Sequence, residues 1–191
     1  MAVAFTGHRP HKLCGYKTES YNKFVKQLED IVGLCVKEGH NIFITGGAQG
    51  FDQLAFWAVN RAKKTYPDIK NVVYLPYKNF GSIWADKGLF SKEQLELIKK
   101  HADNVVYVKE TELYDKQTIV NALMNRNEAM LDNASTLIAL TNENIDTTTE
   151  KGGTIAAIKS AIKRNHTVVQ LKFKNQNELI IESAETIWPK K

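Results

Sequence analysis

Three loops of this sequence carry glycine next to side chains that can bind an anion or a sugar. A strand, a glycine-containing turn and a helix together direct backbone N–H groups at an anion, and glycine lets a ligand approach the backbone without a Cβ in the way. Each loop alone is a weak signal, because a tight strand-to-helix turn that binds nothing also uses glycine. The candidate ligand residues are Gly7, His8 and Arg9, then Gly46, Gly47, Ala48, Gly50 and Asp52, and finally Gly152, Gly153 and Thr154.

Four of these residues have alternative roles that need no ligand. His8 and Arg9 follow a predicted strand, where open α/β sheets place their ligands, but solvated loop residues also occur there. Asp52 is either a favourable charge at the start of a helix or an acceptor for a ribose hydroxyl. Thr154 either donates its hydroxyl to a phosphate or caps the helix that follows it.

A helix predicted from Lys116 to Asp132 supplies two further candidates, Arg126 and Asn127. Asn127 falls in the middle of the predicted apolar face, where an amide needs a hydrogen bond, so it either satisfies a loop backbone or points into a site. Arg126 falls at the edge of that face, and it either joins the site or forms a surface ion pair with Glu128 or another nearby acid. The residues predicted to share the apolar face are Val120, Leu123, Met124, Met130, Leu131 and Ala134.

Apolar runs that alternate with helical patterns position these candidates. The predicted strands are 2–5, 41–45, 71–75, 104–108, 136–140 and 168–171, with a short edge strand at 185–188. The predicted helices lie between Thr18 as N-cap and Gly39 as stop, at 54–62, from the cap Ser91 to His101, at 116–132 and at 155–163. This alternation predicts one α/β domain over residues 1–191, a Rossmann-like three-layer sandwich with a mostly parallel sheet of about six strands. In such a sheet the three glycine loops lie at the same edge.

Composition narrows the classes of function. The 191 residues are 43% hydrophobic and 25% charged, with a net charge of +5, as in an ordinary globular protein. The positive charge favours phosphate-bearing partners, but the lysines are scattered, which does not favour nucleic acid. Cys14, Cys35 and the five histidines share no metal-ligand spacing, so we expect no metal and no cofactor. No signal peptide or membrane-length run is present, so we expect a cytoplasmic homo-oligomer without a membrane partner.

Together these motifs resemble the SLOG superfamily and, within it, the YpsA-like group of bacterial and phage proteins. The resemblance runs from about residue 3 to residue 171, and Trp84 and Ala102-Asp103 also match positions of that group. Its motifs are Thr6-Gly7-His8-Arg9-Pro10, the stretch from Thr45 to Asp52, Asn125-Arg126-Asn127 with Met130-Leu131-Asp132, and Gly152-Gly153-Thr154.

The resemblance implies a Rossmann-like fold that binds nucleotides or nucleotide-derived ligands. By this analogy Gly46, Gly47, Gly50 and the loop from Gly152 to Thr154 hold phosphate. Asp52, Arg126 and Asn127 then hold sugar or phosphate. Relatives include phosphoribohydrolases, sensors of ADP-ribose-type signals, and the DNA-processing protein A branch, which binds single-stranded DNA.

One departure from the family pattern concerns catalysis. The hydrolase branch carries Pro-Gly-Gly-x-Gly-Thr-x-x-Glu, whose glutamate acts on the ribose, and here Ala157 occupies that position. Loss of a catalytic acid or base typically costs roughly 10²–10⁴-fold in rate, and only Asp52 and Glu150 are weak substitutes. The sequence therefore favours a protein that senses or sequesters a nucleotide or ADP-ribose-like ligand. The alternative is a nucleotide N-glycosidase of the phosphoribohydrolase type, and a single-stranded nucleic-acid binder ranks third.

Overall fold

In the computed structural model, the chain forms a seven-stranded sheet with helices on both faces. The structure describes residues 1–142, 152–176 and 178–189. The strands are β1 (Ala2–Gly7), β2 (Ile42–Thr45), β3 (Lys70–Leu75), β4 (Asn104–Tyr107), β5 (Thr136–Leu140), β6 (Thr167–Gln176) and β7 (Glu178–Trp188). The α-helices are α1 (Asn22–Lys37), α2 (Phe51–Ala62), α3 (Lys92–His101), α4 (Lys116–Asp132) and α5 (Gly153–Lys163). Short 3₁₀ turns span Pro10–Lys12 and Thr18–Tyr21.

The strand order is β4-β3-β2-β1-β5-β6-β7, and every pair is parallel except β6 with β7. This confirms the predicted Rossmann-like α/β class. The chain builds the sheet outward from β1 to β4 and then returns to place β5 on the other side of β1. The direction of winding therefore reverses between β1 and β5, and open α/β sheets bind ligands outside the carboxyl ends of the strands at such a point.

The sheet has seven strands against the roughly six predicted, and the additional one is the short edge strand of the sequence pattern, which is longer than expected. β7 covers Glu178–Trp188, whereas the sequence pattern predicted only residues 185–188. Only Leu179 and Ile181 are buried in its first half, and the backbone of Ile181 exchanges two hydrogen bonds with the Gln27 side chain of α1. An edge strand that buries so few side chains gives a weak hydrophobic signal.

Two layers of apolar side chains hold the helices to the sheet. Phe5, Phe43 and Phe51 pack with α1 and α2 on one face, and Phe5 contacts both of the other rings. On the opposite face, Ala4, Ile44 and Leu137 pack against residues of α4 and α5. Both layers reach the strand ends from which the glycine loops emerge, so the loops start from fixed positions.

The start of α1 was predicted wrongly, while the cap of α3 was predicted correctly. Thr18 does not cap α1, because a 3₁₀ turn comes first and the helix begins after Tyr21. Tyr21 donates a hydrogen bond to the carbonyl of Gly15 at 2.6 Å and packs on Phe90. These tertiary contacts set the helix start. At α3 the Ser91 hydroxyl accepts the N–H of Gln94, as the capping pattern predicted.

Two buried or half-buried histidines should make the protein less stable as the pH falls from 7 to 5. Desolvation lowers the pKa of His40 and of His166 below the ordinary value of 6.5, and neither Nδ1 has a partner in the described part of the chain. In this window the unfolded chain binds more protons than the folded one, so acidification favours unfolding. The stabilisation is complete above about pH 6.5 and is lost as the pH falls through the folded-state pKa values.

Urea unfolding at pH 7, 6 and 5 measures this effect. The control is a double variant, His40→Gln with His166→Gln, whose free energy of unfolding should change less over the same range. An equal loss of stability in the wild type and the double variant would show that these histidines are not the cause.

Candidate functional site

A cavity of about 370 Å³ lies at the carboxyl edge of the sheet, beside the point where the winding reverses. Its size falls within the range of roughly 300–1,000 Å³ that is usual for small-molecule sites. The predicted ligand residues that line it are Gly7, His8, Arg9, Ala48, Asp52, Arg126, Asn127, Gly152, Gly153 and Thr154. Loops from distant parts of the chain therefore converge, as the sequence pattern predicted.

Three predicted glycines, Gly46, Gly47 and Gly50, do not line this cavity. A Cβ on Gly46 would lie 1.1 Å from Nη1 of Arg126, so this position must be glycine for the arginine to fit. Gly50 has a φ of +93°, and a Cβ there would lie 2.5 Å from the carbonyl oxygen of His8. These glycines let the loop after β2 pack closely against Arg126 and His8, and they are not themselves lining residues.

A buried ion pair between Asp52 and Arg126 forms the floor of the site. Nη1 of Arg126 donates to Oδ2 of Asp52 at 3.1 Å, and the two side chains are only 9% and 7% exposed. The N–H of Ala48 donates to the same oxygen at 3.3 Å, so Asp52 also fixes the loop that follows β2. Within the described residues Oδ1 of Asp52 has no hydrogen-bond partner, which leaves it available to a ligand.

The alternative role of Arg126 as a surface residue paired with Glu128 was wrong. Glu128 lies 2.9 Å from Arg164, which follows α5, and accepts a hydrogen bond from Ser160 of α5. Helical spacing placed Arg126 at the edge of an apolar face, but the first turn of α2 supplies the carboxylate of Asp52 there. Since α2 and α4 are far apart in sequence, helical periodicity gave no sign of this contact.

Arg126 is held in conditions that favour an added anion. Burial lowers its pKa from the ordinary value, Asp52 opposes this effect, and the positive charge of Arg9 adds to it. Its Nε is buried and has no partner among the described residues. An unsatisfied buried donor costs about 1–3 kcal/mol, more when charged, and a ligand oxygen would remove that cost.

The N-terminus of α5 adds neutral donors to this positive region. The helix begins after Gly152, which supplies no side-chain cap, so the alternative of Thr154 as the capping residue does not hold. The backbone N–H groups of Gly153, Thr154 and Ile155 have no hydrogen-bond partner in the part of the chain that the structure describes. Among the described residues, no atom lies within 4 Å of a Cβ placed on Gly153.

Sequence reasoning missed His11 and Lys12, which also line the cavity. No helix or strand was predicted for these residues, but a 3₁₀ turn at Pro10–Lys12 places both of them beside the site. The signal was the position of this loop directly after β1. Arg9, Lys12 and Arg126 outnumber Asp52, the one carboxylate that lines the cavity among the described residues.

Another predicted feature, the apolar face of α4, was only partly correct. Met130 and Leu131 are buried as predicted, but Val120 is 45% exposed and Met124 is 39% exposed. Both line the cavity together with Leu123, because the first turns of α4 extend past the edge of the sheet. Glu150, a weak catalytic candidate, lies outside the described residues.

The described residues contain neither a metal-binding cluster nor a membrane-spanning helix. No group of three or more histidine, cysteine, aspartate or glutamate side chains is arranged there to hold a metal ion. No helix in the same residues has the length and apolar content that a membrane span requires.

Comparison with known proteins places this chain in a family. A family model described as the YspA SLOG family matches residues 3–185. The chain is 34% identical over 122 residues to the SPbeta prophage-derived protein YoqJ of Bacillus subtilis (strain 168), which covers 60% of this chain and 69% of that protein. It is also 32% identical to a UPF0398 protein of Lactiplantibacillus plantarum over 82 residues, which cover 38% of this chain. A UPF0398 protein of Streptococcus equi subsp. equi is 29% identical over 101 residues, which cover 52% of this chain. These matches span 43% and 57% of the UPF0398 proteins. The chain belongs to the YspA SLOG family, which confirms the resemblance.

Loss of either member of the buried ion pair should strongly destabilise the fold. Asp52→Asn leaves Arg126 without its carboxylate, and breaking a buried pair in this way typically costs about 3–5 kcal/mol. Urea unfolding measures the loss. Arg61→Gln is the control, because it breaks the exposed pair with Glu29 and should cost less than about 1 kcal/mol. If Asp52→Asn costs no more than Arg61→Gln, the pair does not support the fold.

Proposed function

We propose that this member of the YspA SLOG family binds a nucleotide or a nucleotide-derived ligand of the ADP-ribose type, which it senses or sequesters. One observation carries the proposal: a buried arginine with an unsatisfied Nε shares a single cavity with the open N-terminus of a helix. An arginine and a helix N-terminus are both phosphate-binding groups.

The phosphate is assigned to the N-terminus of α5. Its three unpartnered N–H groups face a cavity with an excess of positive side chains, and the helix dipole adds to that field. The absence of a Cβ at Gly153 lets phosphate oxygens come within hydrogen-bond distance of the backbone. Arg9, in the loop after β1, and Arg126, on α4, supply the matching positive charge.

The sugar is assigned to the polar groups beside the ion pair. Oδ1 of Asp52 has no hydrogen-bond partner in the described residues, whereas the other carboxylate oxygen, Oδ2, already accepts two hydrogen bonds. Asn127 lines the same cavity. A carboxylate oxygen and an amide together accept and donate hydrogen bonds, as adjacent ribose hydroxyls require.

Thermal unfolding in the presence of nucleotides tests the proposal. A nucleoside phosphate at a hundredfold excess over Kd should stabilise the protein by about 2.7 kcal/mol. Arg9→Gln should weaken binding at least tenfold, whereas Arg61→Gln removes the same charge from an exposed position far along α2 and should leave the affinity unchanged. A protein that no nucleotide, nucleoside phosphate or ADP-ribose stabilises would contradict the proposal.

Gly153→Ala separates binding from folding in the same assay. The backbone at this position is not in the left-handed region and the space around it is open, so alanine fits. Alanine at a helix position should raise the free energy of unfolding by up to about 1 kcal/mol. It should also weaken phosphate binding, because its methyl group occupies the approach to the N–H groups.

A nucleotide N-glycosidase is the second candidate function, favoured only by the presence of Asp52 in the cavity. Ala157, at the position of the family glutamate, is buried among residues of the core and supplies no acid or base. If the protein is such an enzyme, it releases free base from a nucleoside monophosphate, and Asp52→Asn lowers the rate at least a hundredfold. Chromatography of the free base measures this, and no release from any common nucleotide would exclude the activity. The third candidate, a single-stranded nucleic-acid binder, rests on net charge alone.

A further inference from the structure

Apolar side chains of α4 form part of the cavity wall. Val120, Leu123 and Met124 of α4 line it, and Val120 and Met124 are two of the eight large hydrophobic side chains that are exposed in the described residues. Exposed apolar area is costly in water, at about 25 cal/mol per Å². Two such residues four positions apart on one helix present a continuous apolar patch, which we call the α4 stripe, defined by Val120, Leu123 and Met124.

The α4 stripe continues directly into the polar end of the site. Asn127 follows at the next helical step, so residues 120, 123, 124 and 127 lie along one line on the helix. Seven residues of α-helix span about 10 Å. The α4 stripe and Asn127 therefore line the same cavity within about 10 Å of helix.

We propose that the α4 stripe holds the flat ring of a nucleobase, so that the site takes an intact base-bearing nucleotide and discriminates against sugar phosphates. This inference rests on the proposed function of the same cavity. Arg9, Arg126 and the start of α5 are the phosphate-binding groups of the cavity, which leaves the apolar part of its wall on α4 for the base. The patch of Val120, Leu123 and Met124 has the apolar surface that the face of such a ring requires.

The chemistry of the α4 stripe also sets how the base is recognised. Its side chains carry no hydrogen-bond donor or acceptor apart from the weak thioether sulfur, so they contact the face of a ring and do not read its edge. Methionine adapts its shape and makes favourable sulfur–aromatic contacts. The stripe therefore selects for the presence of a ring, and adenine and guanine nucleotides should bind with similar affinity.

Calorimetric titration with matched ligands tests this inference. The base-bearing probes are AMP, GMP and ADP-ribose, and the base-free probes are ribose 5-phosphate and pyrophosphate. At least one base-bearing probe should bind tenfold or more tightly than ribose 5-phosphate, a difference of about 1.4 kcal/mol. The double variant Val120→Ala with Met124→Ala should lose most of this difference and keep its affinity for ribose 5-phosphate.

A matched control and the oligomeric state complete the experiment. Leu34→Ala removes a similarly exposed apolar side chain from α1, outside the cavity, and should leave every affinity unchanged. Unchanged preference for base-bearing probes in the double variant would overturn the inference and leave the proposed function intact. A double variant that changes the oligomeric state by gel filtration, with no change in ligand preference, would show that a second copy covers the stripe. Failure of all five probes to bind the wild type would instead count against the proposed function.

Discussion

The contact between Asp52 and Arg126 determines how the rest of the site is arranged. It joins residues 74 positions apart, and it places two opposite charges in a region from which most water is excluded. Removal of charges from water is costly, and only close pairing with good hydrogen bonds offsets that cost. Gly46 leaves the space in which the guanidinium lies. The loop after β2 and the middle of α4 are thereby tied together, and the Nε of Arg126 has no hydrogen-bond partner among the described residues.

The topology of the sheet explains why the other loops meet this pair. Because β5 returns to lie beside β1, the loop after β1 and the start of α5 flank the same opening. The N–H of Phe51, at the start of α2, donates to the carbonyl of His8 at 3.1 Å. This bond connects the loop after β1 to the loop after β2. The two backbones are so close that position 50 has no room for a Cβ. The cavity is therefore built from backbone connections between loops as much as from side chains.

The distribution of chemical groups in the cavity favours binding over catalysis. Cations, helix N–H groups, a carboxylate, an amide and apolar side chains all line this one cavity. These are the groups that the phosphate, sugar and base of a nucleotide require. Asp52 already neutralises Arg126, which leaves it poorly placed to act also as a general acid, and Ala157 offers no replacement.

Local pattern was enough to determine much of this protein. The bounds of α4 and β5 follow from apolar spacing within the elements themselves, and the convergence of the glycine loops follows from the alternation of strands and helices. The sequence also identified ten of the side chains and glycines that line the cavity. It could not reveal that Arg126 is buried against Asp52 or that Tyr21 sets the start of α1. Nor could it reveal that Val120 and Met124 are exposed side chains that line the cavity. Periodicity depends on residues within a few turns of each other, whereas burial depends on which distant segment covers a helix face. Only the tertiary structure decides that, because desolvation and pairing act between groups that the chain brings together from far apart.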